Sequence, residues 1–106
     1  MNFEKISGIK NFLSNTDISK KEFIQLLDLS TQIKSKKFEI NVKDKVLGLI
    51  FDKASTRTRV SFQVAMSRIG GSSIDLNPST SQIGRGEPIK DTARVLSRYC
   101  DVIAVR

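Results

Sequence analysis

Five consecutive residues, Ser55-Thr56-Arg57-Thr58-Arg59, concentrate the chemistry of this chain, and they follow the apolar stretch Val46-Leu47-Gly48-Leu49-Ile50-Phe51. A strand that ends in a short loop and turns into a helix leaves the helix's first amide N–H groups unpaired, with the positive end of its dipole aimed at the loop. An anion fits there. Hydroxyls and two guanidinium groups add donors to those of the backbone, and a guanidinium fork matches two phosphate oxygens at once. The run reads as a phosphate cradle.

Spacing places that cradle at a helix start. Phe62, Ala65, Met66 and Ile69 recur at helical period and give the segment from about Thr56 to Ile69 one apolar face, with Gly70-Gly71 as its stop. The plain alternative is an ordinary Ser or Thr N-cap followed by solvated arginines. Against it, arginine near a helix N-terminus opposes the dipole unless an anion is present.

The elements that must position the run can be read on either side of it. Ser19-Lys20-Lys21-Glu22 has the Ser-x-x-Glu form of a capping box, and Phe23, Leu26, Leu27 and Ile33 follow at helical spacing, which predicts a first helix. Residues 38–45 lack a clear period and read as a surface connection. The continuous apolar run 46–51 suits a strand buried on both faces of a parallel sheet. Ser73-Ile74-Asp75-Leu76 supplies a second strand, and the segment Asn77 to Glu87, rich in hydroxyls and chain breakers, reads as a long loop. Pro88 fits the first position of a third helix, in which Ile89, Ala93 and Leu96 share a face, and Val102-Ile103-Ala104-Val105 forms a third strand. This order argues an α/β fold: a parallel sheet with flanking helices and right-handed crossovers. Ligands of such sheets bind at the carboxyl ends of the strands. The loop after the first strand, the long loop after the second and Arg106 after the third all fall at that edge. Arg106 follows a strand with no covering helix after it, so residues 1–106 are expected to be a truncated domain.

Composition bounds the function. The 106 residues carry 39% hydrophobic and 27% charged side chains and a formal charge of +7. No apolar run approaches the roughly 20 residues that span a bilayer, so no membrane partner is expected. The N-terminus, Met1-Asn2-Phe3-Glu4-Lys5, lacks the features of a signal or transit peptide, which predicts a cytoplasmic protein. Cys100 stands alone and histidine is absent, so these residues offer no disulfide, no Cys-His dyad and no thiolate-imidazole metal site; Cys100 reads as a small buried hydrophobe. The positive charge is unevenly built. Before Val46 every basic residue is lysine, whereas all seven arginines (57, 59, 68, 85, 94, 98 and 106) lie at or after the cradle. A nucleic-acid module would account for the charge, but there is no Trp, one Tyr, and the Phe residues follow core periodicity rather than forming a stacking platform. The lysines of Lys34-Ser35-Lys36-Lys37 suit a helix C-terminus and need no ligand.

The segment Phe51-Asp52-Lys53-Ala54-Ser55-Thr56-Arg57-Thr58-Arg59-Val60-Ser61-Phe62 resembles the signature of the aspartate/ornithine carbamoyltransferase family. Residues 81–99, beginning Ser81-Gln82-Ile83-Gly84-Arg85-Gly86-Glu87-Pro88, resemble its ornithine branch, as do Asn11-Phe12-Leu13-Ser14 and Lys53. The aspartate branch usually has Pro immediately before the Ser-Thr-Arg-Thr-Arg run and Lys-Gly-Glu in the later loop, where this chain has Ala54 and Arg85-Gly86-Glu87.

The resemblance implies a carbamoyl-phosphate-binding domain and transfer of the carbamoyl group to ornithine, giving citrulline and phosphate in arginine metabolism. An aspartate or other amine carbamoyltransferase is the nearest alternative; outside enzymes, an isolated phosphate-binding module is another. By resemblance Ser55, Thr56, Arg57 and Thr58 bind the phosphate, Arg106 reaches a phosphate oxygen and the carbamoyl oxygen, and Arg57 and Arg106 are the catalytic pair. Gln82 resembles the glutamine that reaches the site of a neighbouring subunit, which implies a homotrimer with shared sites. No cofactor or metal is called for, because donors aimed at developing negative charge lower the barrier electrostatically. The family's His-Pro-x-Gln motif and its acceptor-binding domain have no counterpart in residues 1–106 and are expected downstream, so these residues alone are expected to be inactive. Arg59 stays open between a ligand contact and a structural ion pair, and Lys53 between a charge near the phosphate and an ordinary loop lysine.

Overall fold

Three parallel strands carry the expected site. In the computed structural model, which describes residues 11–51, 55–77 and 88–106, β1 (Val46–Ile50) is central, with β2 (Ser72–Leu76) on one side and β3 (Val102–Val105) on the other. The register aligns Ile50 with Leu76 and with Val105, so all three strands end level. β1, a continuous apolar run, is the strand whose middle residues are buried in succession, as a central strand covered on both faces requires. Leu47, Leu49 and Phe51 alternate onto one face and form the buried core, with Met66 and Ala104 packed against it. On the other face Gly48 leaves room for the buried Cys100: a Cβ at position 48 would lie 2.9 Å from the Cys100 Sγ. Cys100 is the buried small side chain that the sequence suggested.

Two helices alternate with the strands. α2 (Thr56–Arg68) follows β1 and α3 (Ile89–Tyr99) precedes β3. α2 stops where Gly70 takes φ +90°, a left-handed conformation that only glycine adopts without strain. Pro88, expected as the first helical residue of α3, is instead its N-cap. Its ψ of 132° lies outside the helical range, while its carbonyl accepts from Asp91 and Thr92 N–H at 3.0 and 3.2 Å. The expected apolar face of α3 is only partly covered: Leu96 is half-buried, whereas Ile89 is 76% exposed. The strand starts are tied by Asp101, whose Oδ2 accepts the Val46 N–H at 2.9 Å, and by the Ser72 N–H, which donates to the Lys45 carbonyl at 3.0 Å.

The described residues divide into two compact units between Ile40 and Asn41. The first holds α1 (Lys20–Lys34), with the predicted capping box closed in both directions. Ser19 Oγ accepts the Glu22 N–H at 3.1 Å, and Glu22 Oε1 accepts the Ser19 N–H at 2.9 Å. The second bond, reinforced by the Ser19 side chain, holds the Glu22 carboxyl below its ordinary pKa. A short 3-10 turn, Asn15–Asp17, precedes it and repeats the device: Asp17 Oδ2 accepts the Leu13 and Ser14 N–H groups, which lowers the Asp17 pKa as well. Along α1 the most buried apolar positions are Leu26, Leu29 and Ile33, whereas Phe23 and Leu27 of the expected face are more than half exposed. The i, i+3, i+7 spacing around Leu29 defines a stripe rotated from the expected one.

Candidate functional site

The carboxyl edge of the sheet gathers the run that opens α2 and the residue that ends β3. Ser55 is the N-cap of α2 and is 9% exposed, yet its side chain makes no capping hydrogen bond. The first turn of α2 contains no acidic residue either. Its first helical bond runs from the Arg59 N–H to the Ser55 carbonyl at 2.8 Å, which leaves the N–H groups of Thr56, Arg57 and Thr58 without intrahelical acceptors. Among the described residues, a helix start with no side-chain cap, no acidic residue in its first turn and an exposed arginine at its second position presents positive potential. The ordinary N-cap alternative is therefore not what Ser55 provides: its hydroxyl is not spent on the helix.

Arg106 is brought to the same place by strand pairing. Its backbone N–H donates to the Ile50 carbonyl at 2.9 Å, continuing the β1–β3 ladder one residue past β3. From there Arg106 Nη1 donates to Thr58 Oγ1 at 3.2 Å. A guanidinium fork has five N–H donors, so this bond occupies one and the rest stay available. Ser55, Thr56, Arg57, Thr58 and Arg106 thus share one edge, as the sequence pattern required.

Arg59 is engaged differently. Its Nε donates to Asp75 Oδ1 on β2 at 3.0 Å and its Nη2 to the Phe51 carbonyl at 3.4 Å. Of the two readings left open for it, the ion pair is the one found. Asp75 was not singled out from the sequence. The available signal was a carboxylate inside a parallel strand, where aspartate is disfavoured unless it has a partner. Gln82 and Lys53 lie outside the described residues. Among the described residues, no cluster of three or more His, Cys, Asp or Glu could hold a metal ion.

Chemically, the edge can bind a dianionic oxyanion group and stabilise negative charge that develops on it, through fixed N–H, hydroxyl and guanidinium donors.

Comparisons with known proteins agree with that chemistry. The family model described as aspartate/ornithine carbamoyltransferase, carbamoyl-P binding domain, matches residues 10–106. The ornithine carbamoyltransferase of Prochlorococcus marinus subsp. pastoris is 74% identical over 97 residues, which are 92% of this chain and 32% of that protein. The crystal structure of anabolic ornithine carbamoyltransferase from Campylobacter jejuni subsp. jejuni superposes with a TM-score of 0.83 at 40% identity, covering 92% of this chain and 32% of that one. Aspartate transcarbamoylase from Trypanosoma cruzi, crystallised with carbamoyl phosphate and aspartate, gives a TM-score of 0.82 at 29% identity, covering 95% of this chain and 35% of that one. The chain therefore spans about a third of the length of the curated relatives it matches, 32% in the first case.

Proposed function

This chain belongs to the aspartate/ornithine carbamoyltransferase family, and we propose that it forms the carbamoyl-phosphate-binding part of an enzyme that makes citrulline and phosphate from carbamoyl phosphate and ornithine. The observation that carries the binding half of this reading is the Arg106–Thr58 bond at 3.2 Å beside an uncapped helix start. The preference for ornithine rests on sequence: curated ornithine carbamoyltransferases are 56–74% identical to the chain, whereas aspartate transcarbamoylases of known structure are 28–36% identical.

In this reading Ser55, Thr56, Arg57 and Thr58 hold the phosphate group. Arg106, with one N–H on Thr58, spans a phosphate oxygen and the carbamoyl oxygen. The amine lone pair of the acceptor forms a C–N bond to the carbamoyl carbon, and negative charge builds on the carbamoyl oxygen. The bond from that carbon to the bridging oxygen then breaks, the amine loses a proton, and inorganic phosphate departs. Arg57 and Arg106 act by meeting charge that grows on the carbamoyl oxygen and on the leaving phosphate; donors fixed before the reaction need no reorganisation as it proceeds. The amino-acid acceptor is held by polypeptide outside these residues, so residues 1–106 alone lack the proximity that makes transfer fast.

The same reading assigns Gln82 to the site of a neighbouring subunit in a homotrimer, and the protein to the cytoplasm and to arginine metabolism. Among the described residues no helix is long and apolar enough to cross a membrane. The test is a citrulline assay on the full-length protein with carbamoyl phosphate and either ornithine or aspartate as acceptor. Turnover with ornithine is expected; turnover with aspartate alone would overturn the acceptor assignment, and none with any amine would overturn the function.

A further inference from the structure

The Arg59 guanidinium is committed on three sides. Its Nε lies 3.0 Å from both carboxylate oxygens of Asp75, its Nη2 donates to the Phe51 carbonyl at 3.4 Å, and its Cζ stands 5.6 Å from the centroid of the Phe51 ring. That ring meets Phe62, one turn farther along α2, in an edge-on contact at 6.2 Å. Arg59 and Phe62 from α2, Phe51 from the end of β1 and Asp75 from β2 therefore form one cluster, in which Phe51 is buried and the Arg59 and Asp75 side chains are 19% and 34% exposed.

We propose that Arg59 is a positioning residue of the anion site, clamped by Asp75 and Phe51 so that the first turn of α2 is fixed against the end of β1. The proposal rests on the phosphate-binding reading of the edge and deepens it. Asp75 balances the Arg59 charge at contact distance, so Arg59 adds little net attraction for an anion. What remains is geometry. Phe51 and Ser55 bound the connection from β1 to α2, and the Arg59 contacts to Phe51 tie the helix turn that carries Arg57 and Thr58 to the strand that pairs with Arg106. Displacement of such a turn by about 1 Å can cost on the order of 10²-fold in rate. Lysine could keep the ion pair but cannot donate to two directions as a planar fork or cover the ring equally well.

The experiment uses the full-length protein with Arg59→Gln, Arg59→Lys, Asp75→Asn and the Arg59→Gln/Asp75→Asn pair. Inorganic phosphate affinity is read by calorimetry, and the KM values for carbamoyl phosphate and ornithine by kinetics. Arg59→Gln and Asp75→Asn should each weaken phosphate and raise the carbamoyl phosphate KM by about tenfold or more, with the ornithine KM unchanged. The double variant should be no weaker than the worse single one, because the two residues act as one unit, and Arg59→Lys should fall between wild type and Arg59→Gln. Unchanged phosphate affinity in folded Arg59→Gln would overturn the proposal. So would a loss in Arg59→Gln that Asp75→Asn does not share, the pattern of a direct ligand, or losses that simply add. If Arg59→Gln does not fold, Arg59→Lys and Asp75→Asn carry the same expectation and the same refutation. Phosphate binding is read without the transfer reaction, so failure of the wild-type protein to make citrulline would defeat the functional reading and leave this test standing.

Discussion

Arg106 Nη1 donates to Thr58 Oγ1 across 3.2 Å, joining residues 48 apart in sequence at one edge of the sheet. The bond orients a guanidinium whose backbone is already fixed by the Arg106 N–H on the Ile50 carbonyl. Thr58→Val keeps the side-chain shape and removes the acceptor. Hydrogen bonds to charged groups contribute about 1.5–3 kcal/mol, so carbamoyl phosphate affinity should fall by about tenfold or more. Thermal unfolding should barely change, since Thr58 is only half-buried. Titration calorimetry beside a melting curve separates the two effects, and an unchanged affinity would remove Thr58 from the site.

Gln82 is expected to act across a subunit boundary. Mixing full-length Gln82→Ala chains with Arg57→Ala chains should restore activity neither has alone, because some sites in hybrid trimers combine both wild-type residues. Recovery is read after verified subunit exchange. No recovery would count against shared sites.

The close approach of Gly48 to Cys100 makes a stability prediction. A Cβ at position 48 would sit 2.9 Å from the Sγ, and overpacking of this kind destabilises by about 1–3 kcal/mol. Gly48→Ala should lower the denaturation midpoint, and adding Cys100→Ala should recover part of the loss. Additive losses in the double variant would show that the sulfur is not the obstacle.

The α1 capping box makes a pH prediction. Hydrogen bonds from Ser19 hold the Glu22 carboxyl below its ordinary pKa, so its contribution to stability is present above that ordinary value, about 4.3, and is lost as pH falls through the lower value of the folded state. The N-terminal turn of α1 should therefore lose amide-exchange protection as pH falls below the ordinary carboxylate range. Glu22→Gln, which still offers an acceptor to the Ser19 N–H but does not titrate, should remove that acid sensitivity. Equal acid sensitivity in wild type and Glu22→Gln would contradict the linkage.

Local signals were legible in the sequence where a few adjacent residues decide the outcome. Ser19 and Glu22 announce their helix start, the apolar run 46–51 announces a strand covered on both faces, and Gly70 announces a stop, because capping, burial and positive φ each act through neighbouring residues. The 3-10 turn at Asn15–Asp17 was not read from the sequence, although Ser14 and Asp17 close it as a capping box. Tertiary partners were not legible. Nothing in the spacing of Arg59 and Asp75 tells that they meet, since their contact follows from the parallel pairing of β1 with β2 and from where α2 rests on it. Periodicity likewise marks the apolar side of α1 only to within a rotation, because Phe23, Leu26, Leu27, Leu29 and Ile33 support more than one stripe and packing selects among them. The run 55–58 and Arg106 could be placed at one edge from the sequence because strand order alone sends them there.

The most direct measurement is steady-state kinetics of full-length Arg57→Ala with carbamoyl phosphate as the varied substrate, run beside a calorimetric titration with inorganic phosphate. Arg57 is exposed at a helix start that has no side-chain cap bond and no acidic residue in its first turn, so its loss should leave the fold intact. Removing a donor aimed at developing charge should lower kcat/KM by about 10²–10³ and weaken phosphate binding in the same protein. Activity and phosphate affinity within a few-fold of wild type would contradict the assignment of this edge as the carbamoyl phosphate site.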